Sequence, residues 1–182
     1  MDKFILQRNK AVSQNECNRL ITLYENSPNK FSKHKYMDPK EYKQYTGVSL
    51  NVRPVNYEWG KVLQASLEIY KKQHVYLAKK DALWRLEQYC NIQKYEPGQA
   101  FANEHCEQGL HEPYRVLGWM VYLNTIKEGG GTCWPQQNLT AKAIAGDLYI
   151  WPAAWTHSHY GIKTSKEIKY ILTGWYAYGQ FN

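Results

Sequence analysis

The 182-residue sequence contains no apolar run approaching the ~18 residues of a membrane span, no CxxC pair, no internal repeat and no low-complexity tract. The first absence argues against a helical membrane protein. The opening Met1–Arg8 also lacks the long apolar core of a signal peptide, so no secretion signal is expected. Cys17, Cys90, Cys106 and Cys133 stand too far apart for a dense disulfide framework, which favours reduced thiols in a cytoplasmic setting. Phenylalanine is scarce, at 4 residues against 16 Tyr and 7 Trp, so amphipathic rings carry the 15% aromatic content. Such rings suit strands with one side buried and one side wet. Acidic residues are also short, 16 against 23 basic ones, and the net charge of +7 favours anionic partners from a dicarboxylate to nucleic acid. With 43% apolar and 21% charged residues, the composition is that of one globular domain and argues against disorder or coiled coil.

Periodicity divides the chain near residue 84. In the first part, Phe4–Leu6 reads as a short strand. Ser13-Gln14-Asn15-Glu16 reads as a capping box in front of a helix that uses Cys17, Leu20, Ile21 and Tyr24 and stops before Pro28. Residues 29–56 mix Lys, Tyr, Gly and Pro without sustained period, a loop with one strand at 46–52. A second helix is expected over 57–78, using Trp59, Val62, Leu63, Ser66, Tyr70 and Leu77. From Trp84 the period is two. Strands are expected at 90–96, 100–107, 115–124, 141–143, 147–151, 156–160 and 167–178, separated by Gly and Pro turns. Many short strands predict a sandwich or barrel rather than βαβ units. The division expected is one domain over 1–182, a helical support at 1–83 and a β core at 84–182.

Histidine placement carries the chemistry. His105 and Glu107 lie two apart in the expected strand 100–107, so both side chains can point to one side. A further pair, His157 and His159, sits in the expected strand 156–160. One His and one carboxylate from one strand plus one His from another make a facial triad for non-haem Fe(II), with an open side for substrate and O₂. An H-x-E pair also arises by chance, and a buried His often has only a packing role, so the motif needs context.

That context is a series of ordered blocks. Ile92-Gln93-Lys94-Tyr95-Glu96-Pro97-Gly98, His105-Cys106-Glu107 and Arg115–Asn124 come first. Gly129-Gly130-Gly131-Thr132-Cys133-Trp134-Pro135, Gly146–Pro152 and His159-Tyr160-Gly161…Lys169-Tyr170 follow. In order and spacing they resemble the prolyl-4-hydroxylase-like 2-oxoglutarate/Fe(II) dioxygenases, the small phage and bacterial members above all. The resemblance implies an α+β, mainly β fold: a double-stranded β-helix (jelly roll) with N-terminal helices packed on one sheet. It implies His105, Glu107 and His159 as iron ligands. His159 is favoured over His157 because of the Gly that follows and the offset to Lys169. It further implies Lys169 as the partner of the distal carboxylate of 2-oxoglutarate, with Tyr122 on the same carboxylate and Tyr95 lining the pocket. Thr173, on the Lys169 face by period two, is a further candidate donor.

The cofactors so implied are Fe(II), 2-oxoglutarate and O₂, with ascorbate as an accessory candidate. The reaction implied is hydroxylation of an unactivated C–H, foremost in a prolyl or other residue of a peptide or protein, with release of succinate and CO₂. The setting implied is the cytoplasm of a bacterium or of a phage-infected host. Alternatives are the same chemistry on a small molecule or on a nucleic acid base, the latter motivated by the Lys- and Tyr-rich segment 30–45, or a non-catalytic cupin-like binding protein. Three departures stand out: Glu107 where Asp is usual, Gly131 where an acidic residue is common, and Trp134 where Phe is usual. His34, His74 and His111 have no such context and read as surface residues.

Overall fold

The structure, a computed structural model, describes residues 3–34, 44–51, 56–79 and 84–178. In chain order its elements are β1 (Leu6–Arg8), α1 (Gln14–Asn26), β2 (Phe31–His34), β3 (Gln44–Asn51), α2 (Glu58–Gln73), β4 (Trp84–Leu86) and β5 (Tyr89–Tyr95). There follow β6 (Arg115–Tyr122), β7 (Thr132–Trp134), β8 (Leu139–Ala141), β9 (Leu148–Pro152), β10 (Tyr160–Gly161) and β11 (Lys169–Tyr178). The protein is mainly β with two α-helices among the described residues, as expected. An eight-stranded antiparallel sheet runs β1-β9-β6-β11-β5-β3-β2, with β4 also paired to β11. A three-stranded sheet runs β10-β7-β8.

Period-two alternation gives the large sheet two different faces. Ile92, Leu117, Trp119, Val121, Leu148, Ile150 and Leu172 point to the helices and pack against Cys17, Leu20 and Tyr24 of α1 and Trp59, Leu63 and Tyr70 of α2. Trp119 is fully buried and stacks on Trp59 at 5.7 Å between ring centroids. Removing a ring from such a site costs about 3–5 kcal/mol. The alternate residues, among them Tyr95, Met120, Tyr122, Tyr149, Trp151 and Ile171, form a second cluster with Trp134 and Ala141 of the small sheet. The molecule is therefore layered as helices, large sheet, small sheet.

Several local expectations are corrected. Phe4 has a φ of 52°, outside the extended region, so the first strand begins at Leu6. Ser13 does cap α1, accepting from Glu16 N–H at 3.2 Å, but Glu16 does not reach back. Its carboxylate is held by Arg19 at 2.6 and 2.8 Å, and Glu58 takes the Ser13 N–H at 2.7 Å. The second helix ends at Gln73, because His74 leaves helical geometry and a 3-10 turn, Val75–Ala78, follows. Part of the expected loop 29–56 is strand, β2 and the start of β3.

Residues 100–107 are not a strand. His105 makes a single bridge to His159, and the N–H groups of Glu107 and Gln108 then both turn to the Ala153 carbonyl. Residues 156–160 are likewise a 3-10 turn, Trp155–His157, that runs into the two-residue β10. The strand expected at 141–143 lies at Leu139–Ala141, and β7 was not expected. Gly131 precedes β7 where a Cβ would sit 2.0 Å from the Ala141 carbonyl oxygen, which explains why no acidic residue stands there. At Gly146, φ is +83° and a Cβ would meet the Val12 carbonyl oxygen at 2.3 Å, so the turn into β9 requires glycine.

Candidate functional site

Between the sheets lies a cavity of about 280 Å³ whose lining includes His105, Glu107, His159, Tyr95, Lys169 and Thr173. One donor atom from each of His105, Glu107 and His159 falls within 4.8 Å of the others. His159 Nε2 is 3.1 Å from Glu107 Oε1. Two donors at right angles, each 2.0–2.2 Å from a common ion, stand about 3 Å apart, so this spacing fits a metal.

Both imidazoles are oriented through the nitrogen that faces away. His105 Nδ1 lies 2.8 Å from the Asn103 carbonyl, and His159 Nδ1 lies 3.0 Å from the His157 carbonyl. A ring donating from Nδ1 carries its lone pair on Nε2, the form that binds a metal. The Trp175 indole donates to Glu107 Oε2 at 2.6 Å, which turns Oε1 toward His159. Burial by itself raises the Glu107 carboxyl pKa, but hydrogen bonding and charge from His159, the charge of His105 and the Trp175 N–H outweigh it, giving a value of about 2. Gly118 on β6 lies beneath: a Cβ there would be 3.1 Å from Glu107 Cγ and 2.8 Å from the Trp151 ring. The absent side chain makes room for a carboxylate arm one methylene longer than Asp.

His157 faces elsewhere. Its Nδ1 pairs with Thr156 Oγ1 at 3.0 Å and its Nε2 with the Lys3 carbonyl at 3.0 Å, and burial lowers its pKa. It therefore reaches the cavity only through its backbone carbonyl. His111 is exposed, and His74 packs on the Phe4 and Tyr70 rings. The His34 side chain lies outside what is described.

At the opposite end, Lys169 is 3% exposed. Its Nζ lies 4.4 Å from the Tyr95 ring centroid, and among the described residues no carboxylate pairs with it. Desolvation alone lowers its pKa to about 8. Strand register places Tyr95 directly opposite Lys169. The Tyr95 hydroxyl donates to Gln93 Oε1 at 2.6 Å. Thr173 faces the cavity, but its hydroxyl donates to the Trp119 carbonyl at 2.8 Å, so it presents lone pairs only. Tyr122 is fully buried behind the wall; its hydroxyl pairs at 2.7 Å with Thr132, which lines the cavity.

Trp175, Tyr45, Gln93 and Arg115 also line the cavity; sequence reasoning gave Trp175, Gln93 and Arg115 no role and counted Tyr45 only in the Lys- and Tyr-rich segment of the nucleic acid reading. Arg115 lies 3.8 Å above the Trp175 ring and is held by a two-pronged bond to Glu87, at 2.9 and 3.3 Å. Trp175 could have been found, because period two along β11 puts it on the face of Lys169 and Thr173.

No protein-family model matches the chain, and no curated protein matches it in sequence. Solved structures do. A viral collagen prolyl hydroxylase from Paramecium Bursaria Chlorella virus-1, in a 2OG complex, aligns with TM-score 0.63 and 18% identity over 98% of this chain and 97% of its own. A prolyl-4-hydroxylase from Pseudomonas putida aligns with TM-score 0.68 and 15% identity over 97% and 93%. A Trichoplax adhaerens prolyl hydroxylase, in complex with a hypoxia inducible factor peptide fragment, aligns with TM-score 0.68 and 15% identity over 95% and 83%. The fold is thus that of prolyl hydroxylases, in line with the resemblance in sequence. Among the described residues no helix is long and apolar enough to cross a membrane.

Proposed function

We propose that the chain is a 2-oxoglutarate- and Fe(II)-dependent dioxygenase of the prolyl-4-hydroxylase-like family, acting on a prolyl or other residue of a peptide or protein. We take the two facing sheets as a double-stranded β-helix and the whole chain as one catalytic domain. The observation that carries this reading is Lys169: a buried cation with no carboxylate partner among the described residues, in the cavity that holds the His105–Glu107–His159 set. A buried charge is costly unless paired. A dicarboxylate that reaches Lys169 at one end and a metal at the other supplies that pair.

In this reading His105, Glu107 and His159 hold Fe(II), and the donor set of two imidazoles and one carboxylate suits that ion. Bound iron supplies the O₂ chemistry, coupling decarboxylation of 2-oxoglutarate to succinate and CO₂ with hydroxylation of the substrate C–H. The rest is done by the chain. Lys169 binds the distal carboxylate as a point charge, and Tyr95 supports it through its ring face. Thr132, which lines the cavity and is backed by Tyr122, offers a hydroxyl to the same carboxylate. Trp175 and the two carbonyls behind the imidazoles orient the ligand atoms. The aromatic wall of Trp134 and Trp151 excludes water from His159. A peptide is favoured over a nucleic acid because, among the described residues, the lining offers a phosphate no available cation: Lys169 is buried and Arg115 is forked on Glu87. Most of segment 30–45, the basis of the nucleic acid reading, lies outside the described residues.

Anaerobic addition of Fe(II) and 2-oxoglutarate should produce the visible charge-transfer band of the ternary complex. Absence of the band, with no 2-oxoglutarate turnover over a library of peptides and oligonucleotides, overturns the proposal.

A further inference from the structure

Two polar side chains on the β3–β5 side of the cavity have no part in that mechanism. Tyr45 is 3% exposed and lines the cavity, and among the described residues its hydroxyl has no hydrogen-bond partner. Gln93 is 6% exposed and also lines the cavity. Its Oε1 accepts the Tyr95 hydroxyl at 2.6 Å, which sets the orientation of the amide and leaves both Nε2 hydrogens to donate.

The two residues are neighbours by construction of the sheet. Gly47 stands opposite Gln93 in the β3–β5 register, so Tyr45, two residues earlier on the same face, comes beside Tyr95. Its ring meets the Tyr95 ring at 5.5 Å between centroids. Gly47 itself carries no side chain to fill the row, and the Phe31 ring lies where its Cβ would be, 2.5 Å away. The result is a corner with an apolar back and two hydrogen-bond donors in front.

Both residues are nine-tenths buried and line the cavity, so their polar ends open into it and are completed by whatever group occupies that corner. The group that completes them must accept a hydrogen bond from the Gln93 amide, and the Tyr45 hydroxyl can donate to the same acceptor. It must also be neutral, because Lys169 is matched by the distal carboxylate and Arg115 by Glu87, so a second anion would find no counter-charge. A base edge carrying an N–H would set donor against donor. A peptide carbonyl meets both conditions.

We infer that Gln93 Nε2 and the Tyr45 hydroxyl form a subsite for a backbone carbonyl of a peptide substrate, held beside the cosubstrate on the β3–β5 side of the cavity. This rests on the dioxygenase reading above. It makes β3, a strand from the N-terminal part of the chain, a determinant of substrate choice.

The test uses the full chain loaded with Mn(II) and 2-oxoglutarate, without O₂, titrated with a pool of blocked acetyl-Xaa-Pro-Xaa-amide tripeptides. Gln93→Leu and Tyr45→Phe should each weaken peptide binding about 3- to 10-fold, the effect of one lost neutral hydrogen bond. The 2-oxoglutarate dissociation constant should change less than twofold in Tyr45→Phe, whose lost hydroxyl bonds to neither Lys169 nor the hydroxyl of Tyr95. Tyr45→Phe keeps the ring and its packing, so it reports even if Gln93→Leu fails to fold. Unchanged peptide affinity in Tyr45→Phe overturns the inference, as does a loss of 2-oxoglutarate affinity in place of peptide affinity. Wild-type protein that binds 2-oxoglutarate but none of the peptides overturns it while leaving the cosubstrate reading intact. Wild-type protein that does not bind 2-oxoglutarate removes the reading beneath it.

Discussion

The two ends of the cavity are built on opposite plans. At the His–Glu–His end each side chain is held from behind, by the Asn103 carbonyl, the His157 carbonyl and the Trp175 indole. At the Lys169 end the charged group is buried, with an aromatic face against it and no carboxylate beside it among the described residues. The first end is arranged before any ligand arrives. The second is finished by the ligand. Orientation of donors makes a metal site selective, whereas an uncompensated charge makes a carboxylate site tight, because binding removes a penalty already present in the free protein.

Substitutions can break this contrast, and the greatest effect is expected at the ordered end. His159→Ala should abolish measurable Fe(II) binding by calorimetry, whereas His157→Ala should retain it; the reverse pattern would exchange their roles. Next comes the unpaired end. Lys169→Met should weaken 2-oxoglutarate binding by about 100-fold or more while raising the melting temperature, because it deletes a buried cation that no described residue neutralises. If affinity and stability fell together, Lys169 would be part of the scaffold rather than a ligand-completed group. Trp175→Phe keeps an aromatic ring under Arg115 but deletes the N–H to Glu107 along with part of the indole; a loss of about 10-fold in metal affinity is expected, at the low end for an orienting partner.

At moderate pH, close to 8, the effect is smaller still, a pH dependence that separates the ends without mutation. Lys169 has its pKa lowered from 10.5 to about 8. Above pH 8 the folded protein loses this proton while the unfolded chain keeps it, so stability of the ligand-free protein should rise between pH 8 and 10. Over the same range 2-oxoglutarate affinity should fall, by about 10-fold per unit at the upper end. Denaturant unfolding and ligand titration, each run across that range, should move in opposite directions.

How much of this was legible in the sequence follows from which interactions are local. Strands β5, β6, β9 and β11 are long enough for period two to show, and together they carry Tyr95, Lys169 and Thr173 to the cavity, with Tyr122 behind its wall. The grouping of His105, Glu107 and His159 was legible from the order of motif blocks, although neither ligand segment is the strand expected. A turn that follows β9 and a one-residue bridge aim these side chains, and both depend on distant partners such as Ala153. Tyr45 was hidden in a stretch without sustained period. Its place beside Tyr95 comes from the β3–β5 pairing, across a separation that no local pattern encodes.

The hold of His157 on the Lys3 carbonyl has a consequence for the order in which the molecule assembles. That contact spans 154 residues, and the His105–His159 bridge closes a further long loop. Loops of this size close late, because their entropy is lost before their contacts are gained. His159 is therefore set only when the two halves of the chain have met. On the proposed reading, metal capture reports completed folding rather than seeding it, and a growing chain has no complete His105–Glu107–His159 set until residue 159 has been made and docked.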